Sequence, residues 1–366
     1  MRFSYVVGML SLIVFAGASA LWARGRRPPI ETQPTFSAWV AYWDGARGRQ
    51  ALYANASRLE EVELFAYHFA ADDRLVRAHA NMRGLEDAFR RLPGRKPRLA
   101  MTFVNDLEGP GEIRLKDPAC VHRVLSTPAG RDAHIQQILA IAEGAESVDI
   151  DYERVAPEDG PAFTVFIRAL AAALHQQGKR LSVVVEPRVS DENAADPLSN
   201  GSHALSWPDI ARAADQLTVM AYLYHYGASA PGSIAPVDWV DQVAEYGLRT
   251  VPVEKLSIAL HLGGFDWPQG GPGRALDYDK AEALATAYGV SIQLDQKTQS
   301  GYFTYSDGSS AHEVWVETAD GLRAKIDALT GVGIQHIALW RLGAGDPAFW
   351  NRLPANSLRS SIIFVK

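Results

Sequence analysis

Apolar and acidic residues alternate from Val148 to Glu153, in the run Val148-Asp149-Ile150-Asp151-Tyr152-Glu153. Side chains of a strand point to opposite faces with a period of two, so Asp149, Asp151 and Glu153 share one face, roughly 6.5–7 Å apart. Helical periodicity flanks this run. Ile135, Ile138, Leu139 and Ala142 recur at helix spacing before it, and Phe163, Phe166, Ile167, Leu170 and Leu174 do so after it. A strand between two helices belongs to a parallel sheet, which is covered on both faces. Three carboxylates aimed into such an interior are costly for stability and point to chemistry.

The same alternation of short apolar runs and helix-like stretches extends along the chain. Ser37–Trp43, Val62–Tyr67, Arg98–Val104, Ser147–Asp151, Leu181–Val185, Leu217–Tyr222, Leu256–Leu260 and His336–Trp340 read as eight strands. Eight strands alternating with helices predict an α/β fold, a (β/α)8 TIM barrel. A doubly wound open sheet is the alternative, but it gives no reason for eight, and no Gly-rich phosphate loop follows an early strand. Between the last two runs, Ser291–Asp295, Tyr302–Tyr305 and Glu313–Glu317 read as short strands, with a turn at Ser306-Asp307-Gly308-Ser309 and a helix from Tyr278 to Tyr288. These predict a small α+β insertion, 273–318, on the carboxyl-end face, walling one side of a groove. The barrel as a whole is placed at 36–357, with a tail at 358–366.

The amino terminus reads as an export signal. Arg2 precedes an apolar stretch, Val6–Ala16, and Ala18-Ser19-Ala20 supplies small residues for cleavage, giving a signal peptide at 1–20 and a linker at 21–35. The alternative is an uncleaved anchor reaching Ala23. Arg24, Arg26 and Arg27 weigh against both, since they disfavour cleavage just upstream and oppose an anchor with its amino terminus inside. The expected location is therefore periplasmic, cell-envelope or secreted, with membrane contact only where that segment is retained. The lone Cys120 cannot form an internal disulfide and reads as a buried or idle thiol.

Composition narrows the partners. In 366 residues, 36 Lys and Arg face 42 Asp and Glu, a formal charge of −6, which argues against a nucleic-acid partner. His68, His225 and His261 do not fall at metal-ligand spacing, so no metal and no organic cofactor are expected. A monomer is expected.

In such barrels the site lies at the carboxyl ends of the strands. Glu153 is placed there by the fourth run, with Asp151 and Asp149 deeper. Tyr42 and Trp43 end the first run, Tyr67 the second, and Asn105 follows the third. Glu186 follows the fifth, Tyr222, Tyr224 and His225 the sixth, His261 the seventh, and Trp340 ends the eighth. An aromatic groove with one acidic row suits a polysaccharide, whose ring faces stack on Trp and Tyr. Glycoside cleavage needs a carboxylic acid that protonates the leaving oxygen, and crowded, desolvated carboxylates cannot all ionise cheaply. Glu153 is longest and nearest the mouth, so it is assigned as proton donor, oriented by Asp151, which Asp149 tunes. Tyr42, Trp43 and Tyr67 read equally as groove or packing, Glu186 as substrate ligand or solvated loop residue, and Trp340 as groove or core aromatic.

The stretch Glu146–Glu153 resembles the Asp-x-x-Asp-x-Asp-x-Glu signature of glycoside hydrolase family 18, with Glu146 in place of the first Asp. Met220-Ala221-Tyr222 is similar to the family's sixth-strand motif and Trp340 to its last-strand Trp, the floor of the sugar site. Ile234–Val240, Gly264–Trp267, His312–Glu317 and Trp340–Gly343 are similar to the branch found in spore-germination and cell-wall-directed proteins. The resemblance implies hydrolysis of a glycan containing N-acetylglucosamine by a substrate-assisted retaining route, in which Asp151 and Tyr222 hold the acetamido group. One departure stands out: Leu223 occupies the place of the family's sixth-strand Asp, which bears on affinity and on the preference for an N-acetyl sugar. A non-catalytic glycan-binding module and a hydrolase for a sugar without an acetamido group are the competing readings. Glu146 is expected to be structural.

Overall fold

The computed structural model describes residues 33–353, apart from 79–80, 110 and 192–202. The export segment at 1–20, most of the linker and the tail at 358–366 lie outside these residues. Eight parallel strands, Thr35–Ala41, Glu61–Phe69, Arg98–Gly109, Ser147–Asp151, Arg180–Val185, Gln216–Met220, Leu256–His261 and His336–Trp340, pair in that order. The last also pairs with the first, Thr35 opposite His336, which closes the barrel. Each of the eight apolar runs is one of these strands, and the fold is the (β/α)8 barrel.

The fourth strand realises its alternation directly. Val148, Ile150 and Tyr152 are fully buried. The Tyr152 ring lies against Phe163 and Phe166 of the helix Gly160–Gln176, and its hydroxyl meets His134 Nε2 of the helix Pro128–Ile141 at 2.7 Å. Asp149 faces the other way, into the barrel, where Trp39 Nε1 of the first strand and Thr102 Oγ1 of the third each donate to its Oδ2 at 3.0 Å. The helix Pro128–Ile141 starts where Thr127 Oγ1 accepts the Gly130 amide at 3.0 Å, with Pro128 pre-set in the first turn. Burial of Ile135, Ile138, Phe163, Phe166, Ile167, Leu170 and Leu174 covers this side of the sheet.

Two barrel strands run past the rim and fold back as hairpins. Leu75–Arg77 returns antiparallel on the second strand and Glu112–Arg114 on the third. The third strand therefore extends to Gly109, beyond the Val104 end expected from its apolar run. The first stops earlier than expected: Tyr42–Asp44 is a turn of 3-10 helix that swings Trp43 out across the mouth.

The insertion is a second sheet of five antiparallel strands, ordered Arg274–Leu276, Gly264–Pro268, Ala311–Val316, Ser300–Ser306 and Gln293–Asp295. It begins at Gly264 rather than at 273, because Gly264–Pro268 pairs with the sheet's central strand, Ala311–Val316. The start demands glycine: a Cβ at Gly264 would lie 1.9 Å from the Trp315 carbonyl oxygen. The helix Tyr278–Ala287 packs Ala281 and Ala285 on Phe303, Val314 and Val316. Arg47 and Arg341 bind Asp44 and Asp277 together, tying the insertion's base to the ends of the first and last barrel strands.

Candidate active site

Glu153 follows the fourth strand at the barrel mouth, with a fifth of its side chain exposed. Its backbone is fixed by a single side chain: Asn105 Oδ1 accepts the Glu153 amide at 2.9 Å and Asn105 Nδ2 donates to the Glu153 carbonyl at 2.8 Å. Arg154 then takes a left-handed φ of 56°, and its amide donates to Glu186 Oε1 at 2.7 Å. These bonds set the chain's exit from the strand, and so the direction of the Glu153 carboxyl.

Below Glu153 the carboxylates are buried. Burial, together with the charges of Glu153 and Asp149, raises Asp151 to about 7 against the opposing pull of Lys116. Asp149 is raised by burial to about 6, opposed by its hydrogen bonds from Trp39 and Thr102. One oxygen of each, Asp149 Oδ1 and Asp151 Oδ1, is buried and finds no hydrogen-bond partner among the described residues. Tyr222 is buried with its ring against His261 at 5.5 Å, and its hydroxyl is held protonated by burial and by the nearby charges of Asp151, Glu153 and Asp149. The acidic row and Tyr222 thus share one enclosed space.

Glu186 joins this space rather than a solvated loop. It is buried, and burial followed by the charge of Glu153 raises it from its ordinary value of 4.5 to about 8. The folded protein therefore binds a proton that the unfolded chain releases between about pH 4.5 and 8. This contribution is full below that window and lost as pH rises through it, on the order of 5 kcal/mol in all. In Glu186→Gln, neutral at every pH, thermal unfolding should show a smaller drop from about pH 5 to about pH 8.5 than in the unaltered protein. Identical drops would place an ionised Glu186 in the folded state.

Aromatic residues line the rim. Trp340, in cis linkage to Arg341, is partly exposed and meets Trp39, Trp43 and Phe65 with ring centroids 5.9, 6.1 and 4.8 Å away. Trp43 is 46% exposed and Tyr224 36%, with Tyr42 beside the first and Trp239 beside the second. These aromatic faces are the ones open at the mouth.

Three expected groove residues have other work. Tyr67 is buried, stacked on Phe103 at 5.3 Å, with its hydroxyl engaged by Glu86 and Arg77, so it packs the wall instead of facing a ligand. Asn105 is fully buried and acts through the Glu153 backbone. His225 Nδ1 contacts the Ala230 carbonyl oxygen at 2.9 Å, and the ring covers Gly232, which holds it within its own loop. Glu146 ties strands together, its Oε2 accepting the Leu99 amide at 2.9 Å. Cys120 is buried and donates to the Asp117 carbonyl at 2.9 Å.

Lys116 was not visible in the sequence pattern. Its ammonium lies 2.7 Å from Glu153 Oε1 and 3.2 Å from Asp151 Oδ2. Glu61 and Glu63 are also buried in the barrel interior, and Glu63 is raised well above the usual carboxylate range by burial and by Glu61 and Asp149. Their alternation with Val62 and Leu64 is the same signal that marked the fourth strand. Leu223 has a left-handed φ of 65° and packs against the core, so no carboxylate enters the site from that position. Among the described residues no group of three or more His, Cys, Asp or Glu is arranged to hold a metal ion.

Known proteins share this architecture. A cortical fragment-lytic enzyme of Bacillus subtilis (strain 168) is 29% identical over 213 residues, covering 57% of this chain and 48% of that protein. The chain thus spans about half the length of that relative. The crystal structure of the spore cortex-lytic enzyme SleL of Bacillus megaterium QM B1551 superposes with a TM-score of 0.76 at 22% identity, over 88% of this chain and 74% of the other. That of a chitinase from Chromobacterium violaceum gives a TM-score of 0.76 at 26% identity, over 87% and 97% respectively. The model of the family described as "Glycosyl hydrolases family 18" matches residues 122–345, more than half of the chain, and the protein belongs to that family.

Proposed function

We propose that the protein is an exported glycoside hydrolase that cleaves β-linked, N-acetylglucosamine-containing glycan, whether peptidoglycan, a chitin-like polymer or an exopolysaccharide, by substrate-assisted retaining catalysis. The observation that carries this reading is the placement of Glu153 at the mouth directly above buried Asp151 and beside Tyr222. The reaction needs an acid that reaches the glycosidic oxygen and a wall that holds an acetamido group, and these residues supply both. The acetamido oxygen attacks the anomeric carbon while the bond to the leaving oxygen breaks, and Glu153 gives that oxygen its proton. Asp151 and Tyr222 orient the acetamido group and stabilise the oxazolinium ion. Water then bonds to the anomeric carbon as Glu153 takes its proton, which reopens the oxazolinium ring and restores the acid. Trp340, Trp43, Tyr42 and Tyr224 offer the stacking faces. Likeness to a cortical fragment-lytic enzyme favours a cell-wall glycan, and the apolar stretch Val6–Ala16 before Ala18-Ser19-Ala20 favours export.

The test is incubation of the purified protein with N-acetylglucosamine oligomers and with peptidoglycan, following new reducing ends and fragment masses. Release of fragments with retained anomeric configuration supports the reading. Leu223, where the family carries Asp, motivates the alternative of a binding module of the same fold. Tight glycan binding by calorimetry with no product after prolonged incubation would establish that alternative.

A further inference from the structure

Lys116 brings a buried ammonium into the acidic site from an unexpected direction. It stands just beyond Glu112–Arg114, the return strand of the hairpin on the third barrel strand. Its backbone is held in a left-handed conformation, φ 55°, which an L residue adopts only when its surroundings impose it. Here they do: the Lys116 amide donates to Asp106 Oδ1 at 2.9 Å, and the next amide, of Asp117, donates to the Asn105 carbonyl at 2.9 Å. Asn105 is the same residue that fixes the Glu153 backbone. One short segment, Asn105-Asp106, therefore sets both the ammonium and the carboxylate it meets. The ammonium also lies 5.2 Å from the Phe65 ring centroid, on the second strand.

We propose that Lys116 is a positioning residue of this site: its ammonium holds the Asp151 and Glu153 carboxyls together, and an arriving sugar displaces it from Glu153 so that this carboxyl can turn to the glycosidic oxygen. The inference rests on Glu153 being the proton donor. An ammonium 2.7 Å from Glu153 Oε1 occupies a lone pair of that carboxyl and turns it toward Lys116, whereas a general acid must point its oxygen at the leaving group. Both conditions are met if the ion pair breaks as the sugar binds.

The charged and titratable groups facing Lys116 are Asp151 and Glu153 from the fourth strand and its end, and Asp106 from the third. Facing Asp151 and Glu153 are Lys116, Asp149, Glu186 from the end of the fifth strand and Tyr222 from the sixth. Of these groups Lys116 carries the positive charge, so without it Asp151 faces the like charges of Glu153 and Asp149 unopposed and retains its proton to higher pH.

The experiment is a carbon-13 NMR titration of the Asp151 carboxyl in the whole protein, assigned with Asp151→Asn, in parallel with kcat/KM against pH on an N-acetylglucosamine oligomer. Lys116→Met should move the Asp151 midpoint up by about one pH unit or more, and move the alkaline limb of kcat/KM with it. Lys116→Arg, which keeps the charge, should hold the midpoint near that of the unaltered protein. Met preserves the packing on Phe65, so a merely structural lysine would leave the midpoint in place, and that result would overturn the proposal. Should Lys116→Met not fold, Lys116→Gln removes the charge while keeping a donor and carries the same comparison. A moved midpoint with no product from any active-site form would reject the glycosidase reading and leave the ion-pair role standing.

Discussion

Glu153→Gln is expected to lower the rate of glycan cleavage by about 10²–10⁴ while leaving the fold intact. The amide has the shape of the acid but cannot give a proton to the leaving oxygen or take one from water. The local structure tolerates it, because Glu153 is positioned through its backbone: Asn105 Oδ1 and Nδ2 hold its amide and carbonyl whatever the side chain ends in. The amide oxygen can also still accept from Lys116, which keeps Asp151 as its charged partner. Steady-state rates on N-acetylglucosamine oligomers, with unfolding temperatures of both forms, check this. Unchanged rates would remove Glu153 from the chemistry, whereas a lost fold would mark it as structural.

The barrel was legible because its strands are buried on both faces, so each leaves a continuous or alternating apolar signature that no loop imitates. Asp149, Asp151 and Glu153 stood out against that signature, and the same logic would have found Glu61 and Glu63 had the second strand been started one residue before Val62. What stayed hidden depends on contacts between distant residues. Lys116 meets Asp151 across 35 positions of sequence, through a return strand of three residues, Glu112–Arg114, too short to carry a period. Tyr67 and Asn105 lie at the strand ends where groove residues belong, yet Phe103, Glu86 and the Glu153 backbone claim them. Position along a strand fixes which residues can reach the mouth, and only the neighbours decide which of them do.

Lys325→Met should destabilise the protein by about 3–5 kcal/mol, and adding Glu317→Leu should recover much of that loss. Lys325, in the helix Ala319–Gly331, and Glu317, just beyond the insertion strand Ala311–Val316, form an ion pair with both side chains essentially inaccessible. The ammonium also donates to the Gln299 carbonyl at 2.9 Å and to Ser300 Oγ at 3.0 Å, and Ser300 donates to Glu317 Oε1 at 3.2 Å. Through these bonds the pair joins the insertion sheet to the helix that precedes the strand bearing Trp340. Burial raises Glu317 and lowers Lys325, each against the pull of its partner, so neither charge is comfortable without the other. Removing the ammonium alone strands a carboxylate in an apolar setting, while removing both leaves a space that hydrocarbon can fill. In thermal or chemical denaturation the single variant should melt roughly 5–8 °C lower, and the double variant should lie between it and the unaltered protein. The deficit of the single variant should shrink as pH falls, because a protonated Glu317 no longer needs a counterion. Equal losses in the single and double variants, independent of pH, would show that packing rather than charge is what Lys325 contributes here.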